Sequence, residues 1–195
     1  MQRNTILIIA FVLMVLAQLY VPASMIYSQH RTLEEGTLLK FRTAPVDPYD
    51  PFRGKYIRLS YADNVVEVPD PEKYVQDVEV YVTFKEGADG YALIDDVYRT
   101  PPDNTEVFLK TTVGYRVYET DSLWITYPFD RFYMEESKAL DAETAYRETR
   151  TEEGTDIEAY VMVAVREGNA VIENVYIDNK PIREVVIERL KENER

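Results

Sequence analysis

The chain has 195 residues, enough for one ordinary domain and a short appendage, and 46% of them are hydrophobic. Its 35 acidic residues outnumber 22 basic ones, and the resulting net charge of −13 argues against nucleic-acid binding. The absence of cysteine excludes disulfides, thiolate zinc sites and cysteine nucleophiles, and the single histidine, His30, argues against a histidine-based triad or metal site. We therefore predict neither a cofactor nor a metal.

Residues 6–27 form an uncharged apolar run. As a helix rising about 1.5 Å per residue, the run reaches roughly 33 Å, close to the thickness of a bilayer core. It is either a signal anchor that stays in the membrane or a signal peptide cleaved near residues 21–23. Pro22 beside that site, and the apolar residues after it, favour the anchor. We predict a transmembrane signal anchor over residues 1–29 that contacts the lipid bilayer through residues 6–27.

The short amino tail before a long apolar run resembles an export signal. We therefore expect a single-pass protein of the cell membrane whose body, residues 30–195, is extracytoplasmic. The basic residues on the two sides of the run do not decide the orientation by themselves. Because the body is strongly acidic, we expect it to stand off an anionic lipid surface.

The body is predicted to be mainly β, a barrel-like or sandwich-like domain with a minor helical part. Its first strand is expected over residues 37–43. Asp47 and Asp50 each precede a proline, and a helix cannot run through these two steps. Residues 55–61 then alternate as a strand, with three residues on the predicted core face: Ile57, Leu59 and Tyr61.

Residues 78–102 and residues 157–181 have similar patterns, and each is predicted to form an antiparallel hairpin. Each has an alternating strand, a charged turn with glycine, and a second strand with Asp or Asn before Val-Tyr. The similarity is explained either by duplication or by shared amphipathic composition. Because an isolated hairpin is only marginally stable in water, both are expected to join a larger sheet.

The remaining elements are shorter. Three strand-like segments, residues 106–113, 115–119 and 123–127, lie between the hairpins. Residues 134–150 are rich in Ala, Glu and Arg and free of Gly and Pro, which predicts one helix there. The tail after residue 183 fits either a last strand through Ile187 or a short helix.

The sequence FRGKYIRLSY at residues 52–61 resembles the signature of the GDYXXLXY family, Gly-Asp-Tyr-x-x-Leu-x-Tyr. Four residues match it: Gly54, Tyr56, Leu59 and Tyr61. Lys55 stands where the family name has Asp, which argues against a metal at that position. The stretch before the signature, residues 130–136 and the closing hairpin also resemble the family, so the resemblance covers most of the body.

The resemblance implies a membrane-anchored bacterial protein of unestablished activity, in some cases accompanied by a multi-pass membrane protein partner. It supplies no catalytic residues. We therefore derive a candidate interaction site from the residues of the signature and the loop before it: Asp47, Asp50, Arg53, Gly54, Tyr56, Leu59 and Tyr61.

A comparison of burial energy with ion-pair energy indicates that the signature serves folding first. Burial of Leu59 or Tyr61 stabilises by roughly 1.5–3 kcal/mol each. A partly exposed pair of Arg53 with Asp47 or Asp50 adds only about 0.5 kcal/mol. The functional alternative is that the Asp-Pro loop and Tyr56 line a groove that binds a partner.

For the whole chain we predict a noncatalytic, membrane-anchored envelope protein whose acidic β body binds a membrane or envelope protein. The alternative is a membrane-bound hydrolase. Signal-peptidase-like chemistry would need Ser60 with Lys55 or Lys40, but no spacing supports either pair.

Acidic residues offer two weaker hypotheses. Paired carboxylates for glycoside cleavage are sought in residues 89–96, but Asp95 and Asp96 are neighbours and face opposite sides of a strand. A calcium site in residues 86–96 lacks the spacing of a known calcium loop, so a solvated hairpin turn is favoured.

Overall fold

The computed structural model describes residues 2–44, 56–117, 120–133 and 158–193. The helices in these ranges are α1 (Gln2–Glu35) and α2 (Ile182–Asn193), with a short 3-10 helix at Pro71–Lys73. The strands are β1 (Thr37–Ala44), β2 (Tyr56–Arg58), β3 (Ser60–Tyr61), β4 (Val65–Glu67), β5 (Glu79–Glu86), β6 (Ala92–Tyr98), β7 (Phe108–Val117), β8 (Ser122–Thr126), β9 (Arg131–Tyr133), β10 (Ala159–Arg166), β11 (Asn169–Ile177) and β12 (Lys180–Pro181). The helix predicted over residues 134–150 lies outside the described residues.

Helix α1 carries the apolar run and continues past it. Between Asn4 and Glu35 it is long and apolar enough to cross a membrane, and its apolar window is not buried against the rest of the described chain. The helix continues beyond residue 29, the predicted end of the anchor, because two side-chain pairs at helical spacing support the next turns. These pairs are His30 with Glu34 at 3.3 Å and Arg31 with Glu35 at 2.9 Å.

The described strands form two five-stranded antiparallel sheets and a two-stranded ribbon. The strand orders are β12-β11-β10-β1-β3 and β4-β8-β7-β5-β6, and the ribbon pairs β2 with β9. Together they make a nearly closed, barrel-like body. The mainly β fold class is confirmed, and both predicted hairpins form, as β5–β6 and as β10–β11.

The core between the sheets is centred on Phe41, which is 1% exposed. Its ring packs edge-on against Tyr61, Phe84 and Phe129, with centroids 6.0, 5.3 and 5.2 Å away. Aromatic pairs of this geometry stabilise beyond their buried area. Phe41 is on β1, so these contacts connect the first strand of the body to both sheets.

Strand β7 differs from the sequence prediction. The segments predicted separately over residues 106–113 and 115–119 form a single strand within the described residues. Its register against β8 shifts between Val113 and Tyr115, so Gly114 marks a bulge rather than a strand end. A Cβ at Gly114 would lie 2.8 Å from Cδ1 of Trp124, and glycine therefore lets β8 approach closely.

The C-terminal tail adopts the helical alternative. Ile182 and Val186, four residues apart, are fully buried, and Val185 packs against the same core. This spacing places one apolar stripe of α2 on the sheet, whereas a strand would have alternated its faces.

Candidate functional site

The signature strand is divided into β2 and β3, and its inward face is as the alternation predicts. Ile57, Leu59 and Tyr61 are 1%, 3% and 5% exposed. The hydroxyl of Tyr61 donates to the carbonyl of Phe129 at 2.8 Å, which satisfies this polar group inside the core. Leu59 and Tyr61 are therefore core residues that hold the signature strand in place.

The outward face of the β2–β9 ribbon carries two tyrosines and two arginines in cross-strand pairs. Tyr56 lies opposite Tyr133, and Arg58 lies opposite Arg131. The two tyrosine rings are tilted by 55° with centroids 5.6 Å apart, and the Arg131 guanidinium lies 5.2 Å from the Tyr56 centroid. Tyr133 is 61% exposed. We call these four residues the ribbon face.

Like charges directly opposite each other destabilise a pair of strands unless they are neutralised. The carboxylate of Asp130 lies 3.6 Å from Arg131. A hydrogen bond with Tyr133, and then the charge of Asp130, raise the pKa of Arg131. Arg58 is exposed and forms no ion pair with any residue in the described ranges. The ribbon face is thus a positive spot on a chain of net charge −13.

A groove of about 360 Å³ opens beside the ribbon face, between β3 and β8. Its lining includes Arg58, Ser60, Asn64, Trp124, Thr126 and Asp130. Asn64 is 5% exposed, and its Oδ1 atom has no hydrogen-bond partner within the described part of the chain. Because Arg58 belongs to both, the groove and the ribbon face form one continuous surface of aromatic, hydroxyl, amide and charged groups.

Tyr56 is the single outward residue of the predicted site that the structure describes. Asp47, Asp50, Arg53 and Gly54 lie outside the described residues, so the pairing of Arg53 stays a prediction. Leu59 and Tyr61 face inward beneath Tyr56.

The structure does not bring Ser60 and Lys40 together. Ser60 lies opposite Ala44, and Lys40 is four residues earlier on the same strand, about 13 Å along it. Burial alone would lower the pKa of Lys40, but hydrogen bonds with Glu158 and Tyr91 raise it, the opposite of what a catalytic lysine base needs. Lys55, the other lysine considered, is outside the described residues.

Two carboxylates of the predicted acidic segment, residues 86–96, are engaged in ion pairs. Asp89, in the turn between β5 and β6, pairs with Arg42, and Asp95, on β6, pairs with Lys85 at 3.0 Å. These contacts agree with a hairpin whose carboxylates meet basic side chains on neighbouring strands.

Sequence reasoning missed Arg58, Arg131 and Tyr133 as neighbours of Tyr56. One signal was available: Tyr56–Arg58 reads Tyr-Ile-Arg, and Arg131–Tyr133 reads Arg-Phe-Tyr, the reverse order of residue types. Antiparallel pairing of two such tripeptides places tyrosine against tyrosine and arginine against arginine.

Comparison with known proteins places this surface within a described family. Residues 18–175 match the model of a family described as GDYXXLXY protein. No curated protein and no solved structure matches the chain. The matched range begins within α1 and ends within β11, so it includes the signature strand and the whole ribbon face.

Proposed function

The chain belongs to the GDYXXLXY family, and from that premise we propose that it is a noncatalytic, membrane-anchored envelope protein whose β body binds a membrane or envelope protein partner. In this proposal α1 holds the body at the bilayer on the extracytoplasmic side, and the partner docks on the ribbon face. The observation that carries the proposal is the cross-strand pairing of two tyrosines and two arginines on the outward side of the signature strand.

The composition of the ribbon face supports a docking role. Tyrosine and arginine are enriched among the few residues that supply most of the energy of protein interfaces. A tyrosine also loses few rotamers on binding, because only two side-chain torsions are fixed. Tyr56 and Tyr133 already contact each other, so little further ordering is needed when a partner covers them.

Charge supports a partner that presents carboxylates. Arg58 lacks an ion pair among the described residues and faces Arg131 across the ribbon. A carboxylate placed between the two guanidiniums would relieve their repulsion and form charge-assisted hydrogen bonds. The acidic remainder of the body repels the same partner elsewhere, which favours one docking orientation. A multi-pass membrane protein with an acidic extracytoplasmic loop would fit.

The charge requirement is tested by the double variant Arg58→Ala with Arg131→Ala in the full-length protein. We expect co-purification of the partner from membranes to fall more than about tenfold, since two charge-assisted contacts are lost. The matched control is Arg116→Ala, an exposed arginine on β7. The proposal is wrong if the double variant retains its partner as well as the control does.

Tyr56→Ala separates a binding role from a folding role. We expect binding to weaken while the melting temperature stays within a few degrees of wild type, because Tyr56 is only partly buried. Leu59→Ala, on the inward face of the same strand, should instead lower the melting temperature strongly. A collapse of the Tyr56→Ala protein would assign this tyrosine to folding.

A further inference from the structure

The last turns of α1 enclose a small cavity with the turn between β10 and β11. The cavity measures about 120 Å³. Its lining is Tyr27, Ser28, Arg31 and Thr32 on the helix, and Arg166, Glu167 and Asn169 on or beside the turn. Tyr27 is the last residue of the apolar run, so in a membrane-anchored protein the cavity opens at the level of the lipid headgroups.

The end of α1 packs closely on β10, since a Cβ at Gly36 would lie 3.3 Å from the backbone of Val165, and hydrogen bonds of its own last turn close it. Thr32 is 2% exposed, and its hydroxyl donates to the carbonyl of Ser28 at 3.0 Å. The amide of Gly36 donates to the carbonyl of Thr32 at 3.0 Å, and a Cβ at Gly36 would collide with that oxygen. Only Gly36 separates α1 from β1, so no linker lies between the helix and the body.

Arg166, which lines the cavity, carries a buried hydrogen-bond donor without an acceptor. The Arg166 side chain is 13% exposed and contacts Glu35, together with Glu106 and Glu167 at 3.6 Å. Its Nε atom, which lies 3.6 Å from the Glu106 carboxylate, is buried and has no hydrogen-bond partner in the described ranges. Arg31, the second guanidinium, bonds to Glu35 at 2.9 Å. Two guanidiniums therefore meet three carboxylates, with one donor unsatisfied.

We propose that this cavity binds the headgroup of a zwitterionic aminophospholipid of the phosphatidylethanolamine type. The phosphate accepts hydrogen bonds from Arg31 and Arg166, and the primary ammonium donates to the carboxylate of Glu35 or Glu167. The inference rests on the membrane anchorage of the proposed function, because the bilayer around α1 supplies the lipid.

The charge balance selects this headgroup over others. An anionic glycerol headgroup would add negative charge to a cluster in which carboxylates already outnumber guanidiniums. A choline headgroup carries no N–H to donate to the carboxylates, and its three methyl groups need more room. The ethanolamine headgroup adds no net charge, and it supplies acceptors for the two guanidiniums that line the cavity and a donor for the acids.

The test uses full-length protein in detergent with an equimolar mixture of phosphatidylethanolamine, phosphatidylcholine and phosphatidylglycerol of identical acyl chains. Native mass spectrometry then measures which lipid the protein retains. We expect phosphatidylethanolamine to be preferred by about tenfold, the effect of one additional charge-assisted hydrogen bond. Arg31→Gln should abolish the preference, and Arg166→Gln should do the same. Arg183→Gln, an exposed arginine on α2, is the matched control and should keep it.

Equal retention of the three lipids, a preference for phosphatidylglycerol, or an unchanged preference in Arg31→Gln would overturn the inference. Arg31 is exposed, so its variant should keep the wild-type melting temperature, which shows that any loss is not due to unfolding. Reconstitution into phosphatidylcholine nanodiscs separates the two proposals. Failure to insert would contradict the anchorage and the lipid site together, whereas normal insertion without a headgroup preference would contradict the lipid site alone.

Discussion

The β5–β6 and β10–β11 hairpins can be compared position by position. Each has a cross-strand tyrosine pair at the same point, Tyr81 with Tyr98 and Tyr160 with Tyr176. Each register shifts two residues further along the first strand, after Thr83 and after Met162. Composition alone does not fix where a bulge falls, so the shared register favours duplication as the origin of the sequence similarity.

The equivalence extends to a third strand. β7 pairs with β5 as β1 pairs with β10. In each pair an apolar residue lies opposite a buried valine: Leu109 opposite Val82, and Phe41 opposite Val161. In each pair a basic residue lies opposite the first tyrosine: Lys110 opposite Tyr81, and Arg42 opposite Tyr160.

Strands β5, β6 and β7 thus form one unit, and β10, β11 and β1 form an equivalent one. The turn of each hairpin contacts the third strand of the other unit, but by different chemistry. The β10–β11 turn uses its backbone: the Gly168 amide donates to the carbonyl of Phe108 at 2.9 Å, and the Lys110 amide donates to the carbonyl of Gly168 at 3.0 Å. The β5–β6 turn uses side chains: Asp89 pairs with Arg42, and the Lys40 ammonium lies 4.4 Å from the Tyr91 ring centroid. The equivalent contact is thus made mainly by backbone hydrogen bonds at one turn and by charged side chains at the other.

The largest effect is expected at the backbone contact. Gly168 has φ of +84°, and a Cβ there would lie 3.2 Å from the Cβ of Lys110. Gly168→Ala should destabilise the fold by about 2–3 kcal/mol, from left-handed strain and a weakened backbone contact. Gly90 in the other turn has φ of +79°, and a Cβ there would have no neighbour closer than 3.8 Å. Gly90→Ala should therefore cost about 1–2 kcal/mol, from backbone strain alone. Chemical denaturation measures both, and equal losses would contradict the difference between the turns.

The side-chain contact is broken by Lys40→Met. Lys40 bonds to Glu158 at 2.9 Å and lies 3.9 Å from the Tyr160 centroid. Its loss should cost about 1–2 kcal/mol, mainly the cation–π contacts. The equivalent unit offers Lys110→Met as a control, since its pair with Glu79 is half exposed and should contribute less than about 1 kcal/mol. If both variants melt alike, the cluster around Lys40 has no special role.

Asp96 and Asn174 occupy equivalent positions in the two hairpins, so their side chains should contribute equally to stability. The carboxylate of Asp96 and the amide oxygen of Asn174 each accept a hydrogen bond from the next residue's amide, Val97 or Val175, at 2.9 Å. Asp96→Ala and Asn174→Ala should each destabilise by about 1 kcal/mol, the usual net value of such a bond. Denaturation midpoints that differ strongly between the two variants would weaken the case for equivalent units.

The smallest effect is a pH dependence confined to one turn. Hydrogen bonds from Tyr91 and then Lys40 lower the pKa of Glu158, and bonds from the Tyr91 amide and then Arg42 lower that of Asp89. A carboxyl with a lowered pKa stabilises the fold above its ordinary pKa, and this contribution is lost as pH falls through the lowered value. Hydrogen exchange should therefore show the Gly87 and Gly90 amides losing protection in acid while Gly168 keeps its own. A parallel loss at Gly168 would contradict the assignment.

The inward face of the signature strand could be predicted because burial on one side of a strand repeats every two residues. The ribbon face could not be predicted as a unit, since β2 and β9 are each three residues long and far apart in the chain. Such short strands carry too little periodicity to indicate a partner. The length of α1 was missed for another reason: polar and charged residues after Tyr27 mark the end of the apolar run, yet side-chain pairs four residues apart support further helical turns.

The contacts that the two hairpin turns make could not be predicted from the sequence either. The similarity of the hairpins is visible in the sequence, but the strand that each turn contacts is determined by the packing of the two sheets against each other. Gly90 and Gly168 both have positive φ, and only the packing around them shows that Gly168 meets β7.

The central claim, that a partner docks on the ribbon face, is tested most directly by site-specific photo-crosslinking in native membranes. A photoreactive residue at Tyr133 should capture one defined protein, and the same protein should be captured from Tyr56 and lost when Arg58 and Arg131 are both alanine. A photoreactive residue at Arg116 should not capture it. Capture from Arg116 at the same yield, or from Tyr133 with undiminished yield after removal of both arginines, would contradict the account.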